Sequence, residues 1–221
     1  HFDWYDADVI SVLAGAFVKN IDKCTPQAVA NVLWALAKLS WYDDGIIREL
    51  SGAFIQRIRS SKPQEVANVL LALAKLRWYD FGVVSKLADA AVERVSSSFS
   101  QNMSNNLWSL STLGWYDQVA YDALLWGLVR SPEQPKSQEL SNAIYSCAMA
   151  CHCGAAVDSL ACMVSKQSLV AWELQHVTDS LYAWSILSLL GMASPDLNAM
   201  ASALFSAANS RGPSVFKGQE I

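Results

Sequence analysis

Long apolar runs are missing from this chain. Although 52% of its 221 residues are hydrophobic, polar residues recur every three or four positions, so no run reaches the ~18–20 apolar residues of a membrane span. The sequence therefore reads as soluble. Extended strand-like alternation is absent too, and only six prolines interrupt segments rich in Ala, Leu and Ser, which favours helices over sheets. Cysteine is sparse. The five residues Cys24, Cys147, Cys151, Cys153 and Cys162 are odd in number and irregularly spaced, with four in segments that read as helix. That disfavours a secreted disulfide scaffold and points to reduced thiols.

Catalytic signatures are also lacking. There is no Gly-rich phosphate loop and no HExxH pattern, and among the histidines His1 is terminal while His152 and His176 fall at noncorresponding places in the repeat described below. No enzyme and no cofactor is expected. Cys147, Cys151, His152 and Cys153 form the one metal-like grouping. Because Cys147 replaces Leu36 and Leu73 of other repeats, it is expected in the core, and no metal site is expected. Positive charge is not in surplus either: 16 Lys and Arg stand against 20 Asp and Glu, a net charge of −4. This counts against a strong grip on phosphate backbones. His1 already lies inside the repeat pattern, so the chain reads as a piece of something longer, with any targeting peptide missing.

What the sequence does have is a period. Trp4-Tyr5-Asp6 recurs as Trp41-Tyr42-Asp43, Trp78-Tyr79-Asp80 and Trp115-Tyr116-Asp117 in steps of 37 residues, with a degenerate copy at His152-Cys153-Gly154. Gln27, Gln64, Gln101, Gln138 and Gln175 keep the same step, each followed four residues later by Asn31, Asn68, Asn105, Asn142 or Asp179. A fixed period of this length marks stacked supersecondary units. Each unit holds two helical stretches. The first, termed A, runs from about 27 to 39 and 64 to 76 in the two best-formed copies; Thr25-Pro26 reads as a cap and first-turn proline, and Ser100 and Ser137 as caps of the third and fourth. The second, termed B, is expected near 44 to 59, 81 to 97, 118 to 130, 155 to 168 and 195 to 210, with a leading one near 7 to 20. Asp43, Asp80 and Asp117 precede these stretches as N-caps, while the Trp and Tyr before them are expected to wedge successive hairpins together.

Neither helix of a unit can hide its apolar face alone, so the expected fold is all-α: a two-layer α-solenoid of about five 37-residue hairpins, with a right-handed superhelix. Residues 1–210 form one repeat domain, with a partial unit at 1–20 and units beginning near 25, 62, 99, 136 and 173. Residues 211–221 read as a loop leading to a part beyond this chain.

On the A helices, Val29, Val32, Leu33, Leu36 and Leu39, and likewise Val66, Val69, Leu70, Leu73 and Leu76, make the side that meets the B layer. The opposite side collects Gln27, Asn31, Trp34 and Lys38, then Gln64, Asn68, Leu71 and Lys75. It continues with Gln101, Asn105, Trp108 and Thr112, with Gln138, Asn142, Tyr145 and Met149, and with Gln175, Asp179, Tyr182 and Ile186. Amides that read base edges, rings that stack on bases at about 1–3 kcal/mol each, and ammonium groups for phosphates suit single-stranded nucleic acid. Equally, the amides could bond one another in a ladder between helices, with the rings filling gaps between repeats. Both readings are open at this point.

The segments AVANVLWALAKLSWYD (28–43), EVANVLLALAKLRWYD (65–80) and NMSNNLWSLSTLGWYD (102–117) resemble octotricopeptide repeats, a family with a Leu-Trp-Ala-Leu-Ala-Lys-Leu core abundant in green algae. The resemblance covers most of the chain and weakens in 137–153 and 174–191. It implies a non-enzymatic protein of a mitochondrion or chloroplast that binds organellar RNA in maturation, stability, splicing or translation, including as an rRNA-binding part of an organellar ribosome. Carried onto this sequence, the expected RNA-binding residues are Gln27, Asn31, Trp34, Lys38, Gln64, Asn68, Lys75, Gln101, Asn105, Trp108, Gln138, Asn142 and Tyr145. The rival reading is a scaffold whose inner face holds ribosomal or other organellar proteins; no membrane and no small-molecule substrate is expected. The charge favours neither, because the A stretches 27–39 and 101–113 hold no acid while Lys38, Lys62, Lys75 and Lys136 belong to A helices or their starts.

Overall fold

A computed structural model describes residues 6–211. Among them are eleven α-helices, four short 3-10 turns and no strand. The A helices are α2 (Pro26–Lys38), α4 (Pro63–Leu76), α6 (Ser100–Thr112), α8 (Ser137–Met149) and α10 (Leu174–Leu189); the B helices are α1 (Ala7–Val18), α3 (Asp44–Gln56), α5 (Phe81–Glu93), α7 (Gln118–Val129), α9 (Ala155–Ser165) and α11 (Pro195–Ser210). Each A helix packs on the next A helix and each B helix on the next B helix, while α2 with α3, and the pairs after it, close the hairpins. Contacts between neighbours in two layers are those of an α-solenoid. No helix of the described residues is long and apolar enough to cross a membrane.

The apolar stripes assigned to the inter-layer contact are buried, with Val29, Leu33, Val66, Val69, Leu70 and Leu73 fully enclosed against Ile47, Leu50, Phe54, Val84 and Leu87. Leu39 departs from this expectation. It is 45% exposed where Leu76 is buried, because among the described residues no A helix stacks on the outer side of α2.

The turns between A and B helices follow from their residues. Asp43, Asp80 and Asp117 accept from the backbone N–H groups of Ile46, Val83 and Ala120 at 2.9, 3.1 and 2.9 Å, relieving free donors at each helix start. Trp41, Trp78 and Trp115 are buried, and His152 takes their place in the fourth turn. Trp78 is clasped by the preceding hairpin: its Nε1 donates to Asp44 Oδ1 at 2.8 Å, and Arg48 lies over its ring. That bond, with help from Arg48, holds the Asp44 carboxyl below the usual carboxylate range. Tyr42, Tyr79 and Tyr116 are all about half exposed; Tyr116 still joins its hairpin to the next, its hydroxyl 3.1 Å from His152 Nδ1 and its ring packed on that imidazole. A trans extended backbone after the buried Trp turns the next side chain outward. Trp4 and Tyr5 lie outside the described residues, as does the expected terminal loop beyond Arg211.

Two further expectations are corrected. Thr25 caps α2 through the N–H of Ala28, but Ser100 and Ser137 are first helical residues rather than caps. Their hydroxyls face the next A helix, that of Ser100 donating to Glu139 Oε2 at 2.7 Å and that of Ser137 sharing a 3.1 Å bond with His176 Nδ1. Three B helices also end early: at Arg57 and Arg94 the chain tightens into the 3-10 turns Ile58–Ser60 and Val95–Ser97, and α9 stops at Ser165, whereas α7 and α11 end at Val129 and Ser210, close to the expected 130 and 210. All five thiols are free, and only Cys147 and Cys162 lie in helices.

Candidate nucleic-acid interface

The polar face of the A helices carries one continuous groove of about 560 Å3 running across α2, α4, α6 and α8. Its wall is made by Trp34, Gln64, Asn68, Leu71, Lys75, Gln101, Asn105, Trp108, Gln138 and Asn142. Helical spacing explains the convergence: residues four, three and four apart recur on one face, and a 37-residue step returns that face to the same place in the next helix. Nine of the thirteen residues expected at the site thus meet around one surface. Gln27, Asn31, Lys38 and Tyr145 do not line it.

The amides bear on the ladder reading of the stripe. A ladder would bond Gln and Asn side chains between neighbouring helices. Among the described residues none of Gln27, Gln64, Gln101 and Gln138, nor of Asn31, Asn68, Asn105 and Asn142, makes a side-chain hydrogen bond within the chain. All four of these glutamines are exposed, and Asn68, Asn105 and Asn142 are half-buried. Each amide keeps two donors and an acceptor toward the groove. The α10 copy differs: Gln175 Nε2 donates to Asp179 Oδ1 at 2.7 Å, so that repeat's amide is already engaged.

Charge within the groove is positive despite the acidic chain. No Asp or Glu lines it. Lys38 from α2 and Lys75 from α4 both reach the Trp34 ring, at 5.1 and 5.8 Å from its centroid, an attraction between ammonium and ring quadrupole. Leu71 stands where α2, α6 and α8 carry Trp34, Trp108 and Tyr145, and its smaller side chain leaves Lys75 room to lean across. Beyond the groove Tyr145 and Tyr182 lie nearly parallel with centroids 6.2 Å apart. A small recess next to it is lined by Gln101, Ser104, Asn105, Lys136, Gln138 and Glu139. There the buried Glu139 carboxylate accepts from Ser100 Oγ and from the backbone N–H of Lys136, which fixes α6 against α8. Sequence reading passed over Glu139; its signal was the register shared with Glu65, which caps Lys62 N in the same way.

The metal-like grouping is dispersed. Cys147 is buried in the core with its thiol pushed up in pKa by burial, whereas Cys151 and Cys153 are exposed. Among the described residues no group of three or more His, Cys, Asp or Glu is placed to hold a metal ion. His152 packs instead in a ring cluster with Tyr116 and Tyr121. Neither a family model nor a curated protein matches the chain.

Proposed function

We propose that the chain is a non-enzymatic single-stranded RNA-binding solenoid of octotricopeptide type that acts on RNA in a mitochondrion or chloroplast. The observation carrying this reading is the groove of unbonded amides: Asn68, Asn105 and Asn142, with Gln64, Gln101 and Gln138, line a surface free of acid and flanked by Trp34, Trp108 and Lys75. These amides keep their donors and acceptors open to solvent, and base edges supply complementary ones. Trp108 offers a face for a base, and Lys38 and Lys75, gathered over the Trp34 ring, meet phosphates there. A setting within an organellar ribosome accommodates both RNA on this groove and protein elsewhere on the solenoid.

Titration of labelled single-stranded RNA of defined composition, followed by anisotropy at several salt concentrations, tests the reading. Affinity should fall with salt, with a logarithmic slope of about −1.4 if two lysines neutralise phosphates at about −0.7 each. Replacing Asn31, Asn68 and Asn105 together with Ala should relax base preference while leaving the helical circular dichroism unchanged. RNA binding unaltered by that triple substitution rejects the proposal. Salt-tolerant capture of a peptide in the same groove would favour the scaffold reading.

A further inference from the structure

The edge of the solenoid where B helices hand on to A helices carries its own periodic device. Arg57 donates from Nη1 to Ala53 O of its own helix, and from Nη2 to Ile21 O and Asp22 O in the turn one repeat earlier. Arg94, 37 residues on, repeats this with Ala90 O, Ile58 O at 2.7 Å and Ser61 O at 3.2 Å. At the far end Arg211 donates to Leu169 O, Val170 O and Trp172 O. Between α7 and α9 a shorter amide does the work, Gln167 Nε2 reaching Pro135 O at 3.2 Å. These four junctions are therefore stapled by a planar donor placed on the carbonyls of the preceding turn, a geometry suited to guanidinium.

The α5–α7 junction breaks the series. Ser131 stands at the position of Arg57 and Arg94, and among the described residues Val95 O and Ser98 O, the counterparts of Ile58 O and Ser61 O, accept no side-chain hydrogen bond. The buried Ser131 Oγ has no partner. Arg130 does not substitute, since its guanidinium lies 4.8 Å over the Trp126 ring. A cavity of about 550 Å3 opens at this spot, walled by Val92, Val95, Met103 and Trp126 and bordered by Arg130 and by Glu93, whose carboxylate is paired with Arg94 at 3.4 Å. The junction is held by closer packing: a Cβ on Gly127, which replaces Ala53 and Ala90, would collide with Val95 Cγ1 and sit 2.6 Å from Met103 Sδ.

We infer that this cavity is a socket for an arginine side chain presented by a partner protein. The other junctions state the chemistry of the occupant, a guanidinium on the carbonyls of positions 95 and 98. The apolar walls take its methylene stem, and Ser131 Oγ finds a partner. The socket lies on the edge of the solenoid, and the inference does not depend on the RNA reading of the groove.

The probe is N-acetyl-arginine methylamide, titrated into the whole chain while backbone amide resonances of Val95–Ser98, Gly127 and Ser131 are followed, with the lysine analogue as control. Saturable shifts at these positions with arginine and weaker ones with lysine are expected. Equal shifts from lysine, or none from arginine, overturn the inference; this titration needs no variant to fold. Ser131→Arg should raise Tm by about 2–4 °C and abolish the arginine shifts, whereas unchanged Tm with retained shifts overturns it. Arg130→Ala should leave the shifts in place or strengthen them. Their loss would show that Arg130 builds the site rather than borders it, and would also overturn the inference.

Discussion

Two sets of polar residues recur in this solenoid with the same 37-residue step, and the fold treats them oppositely. At the edge, Arg57 and Arg94 bind backbone carbonyls of the preceding turn, and Glu65 and Glu139 bind the first backbone N–H groups of their helices. On the A-helix face, the Gln and Asn side chains from α2 to α8 bind nothing in the chain. Periodicity alone therefore does not separate structure from function in a repeat protein; the destination of the hydrogen bonds does. A recurrent polar group whose partners lie within the chain is part of the frame, and one that points into an open groove without a partner is available for a ligand.

The comparison can be broken most readily at Arg94. Its replacement by Ala removes the bonds to Ala90 O, Ile58 O, Ser61 O and the Glu93 carboxylate and leaves Ser61 O without a donor, while Ile58 O keeps the N–H and hydroxyl of Ser61, so a loss of about 2–3 kcal/mol is expected, read as a lowered midpoint in urea with an unchanged slope. Glu139→Ala should cost somewhat less, about 1–2 kcal/mol, because only Ser100 Oγ and the Lys136 N–H lose their acceptor; the same measurement checks it. A smaller effect is expected from pH at the fourth turn. Burial among Tyr116 and Tyr121 lowers the pKa of His152 below its usual 6.5, against the opposing pull of Asp122, whose Oδ1 lies 3.3 Å from Nε2. The unfolded chain therefore binds the proton more readily than the folded one. The contribution is complete above pH 6.5 and is lost as pH falls from there through the lower folded value. Comparing Tm against pH for the native chain and His152→Phe should show the difference opening below pH 6.5. Least of all, Asn68→Ala with Asn105→Ala should change stability by no more than about 0.5 kcal/mol while weakening RNA binding. If those two substitutions unfolded the chain as Arg94→Ala does, the contrast between the two sets would collapse.

Much of the frame is legible in the sequence because its signals are local. Asp43, Asp80 and Asp117 cap the helices that follow since a cap needs only the next three residues, and the apolar stripe of α4 follows from its own spacing. The groove was legible for a related reason: one helix fixes which residues share a face, and the step repeats it. What escaped were contacts set by the neighbouring repeat. Ser100 and Ser137 have the composition of caps, yet the adjacent A helix offers Glu139 and His176 to their hydroxyls. Tyr42 and Tyr79 look like wedges until the turn geometry sends the Trp inward and the Tyr outward, and only Tyr116, through His152, meets the next repeat as expected. The arginine staples were harder still, because only Arg57 and Arg94 are in step, Ser131 interrupts them, and Arg211 lies out of register.

That last displacement has a consequence of its own. From Ser131 and Ser168 the step predicts position 205, yet the staple comes six residues later, at Arg211. The arms α10 and α11 each hold 16 residues, where α2 and α3 each hold 13. Three added residues lengthen an arm by nearly one helical turn, about 4.5 Å, and when both arms gain it together the chain returns to the same edge, each arm about 60° short of its former phase. The edge thus counts turns rather than residues, which makes paired insertions of three or four the ones such a hairpin can absorb and a lone insertion in one arm the kind that throws its staple out of reach.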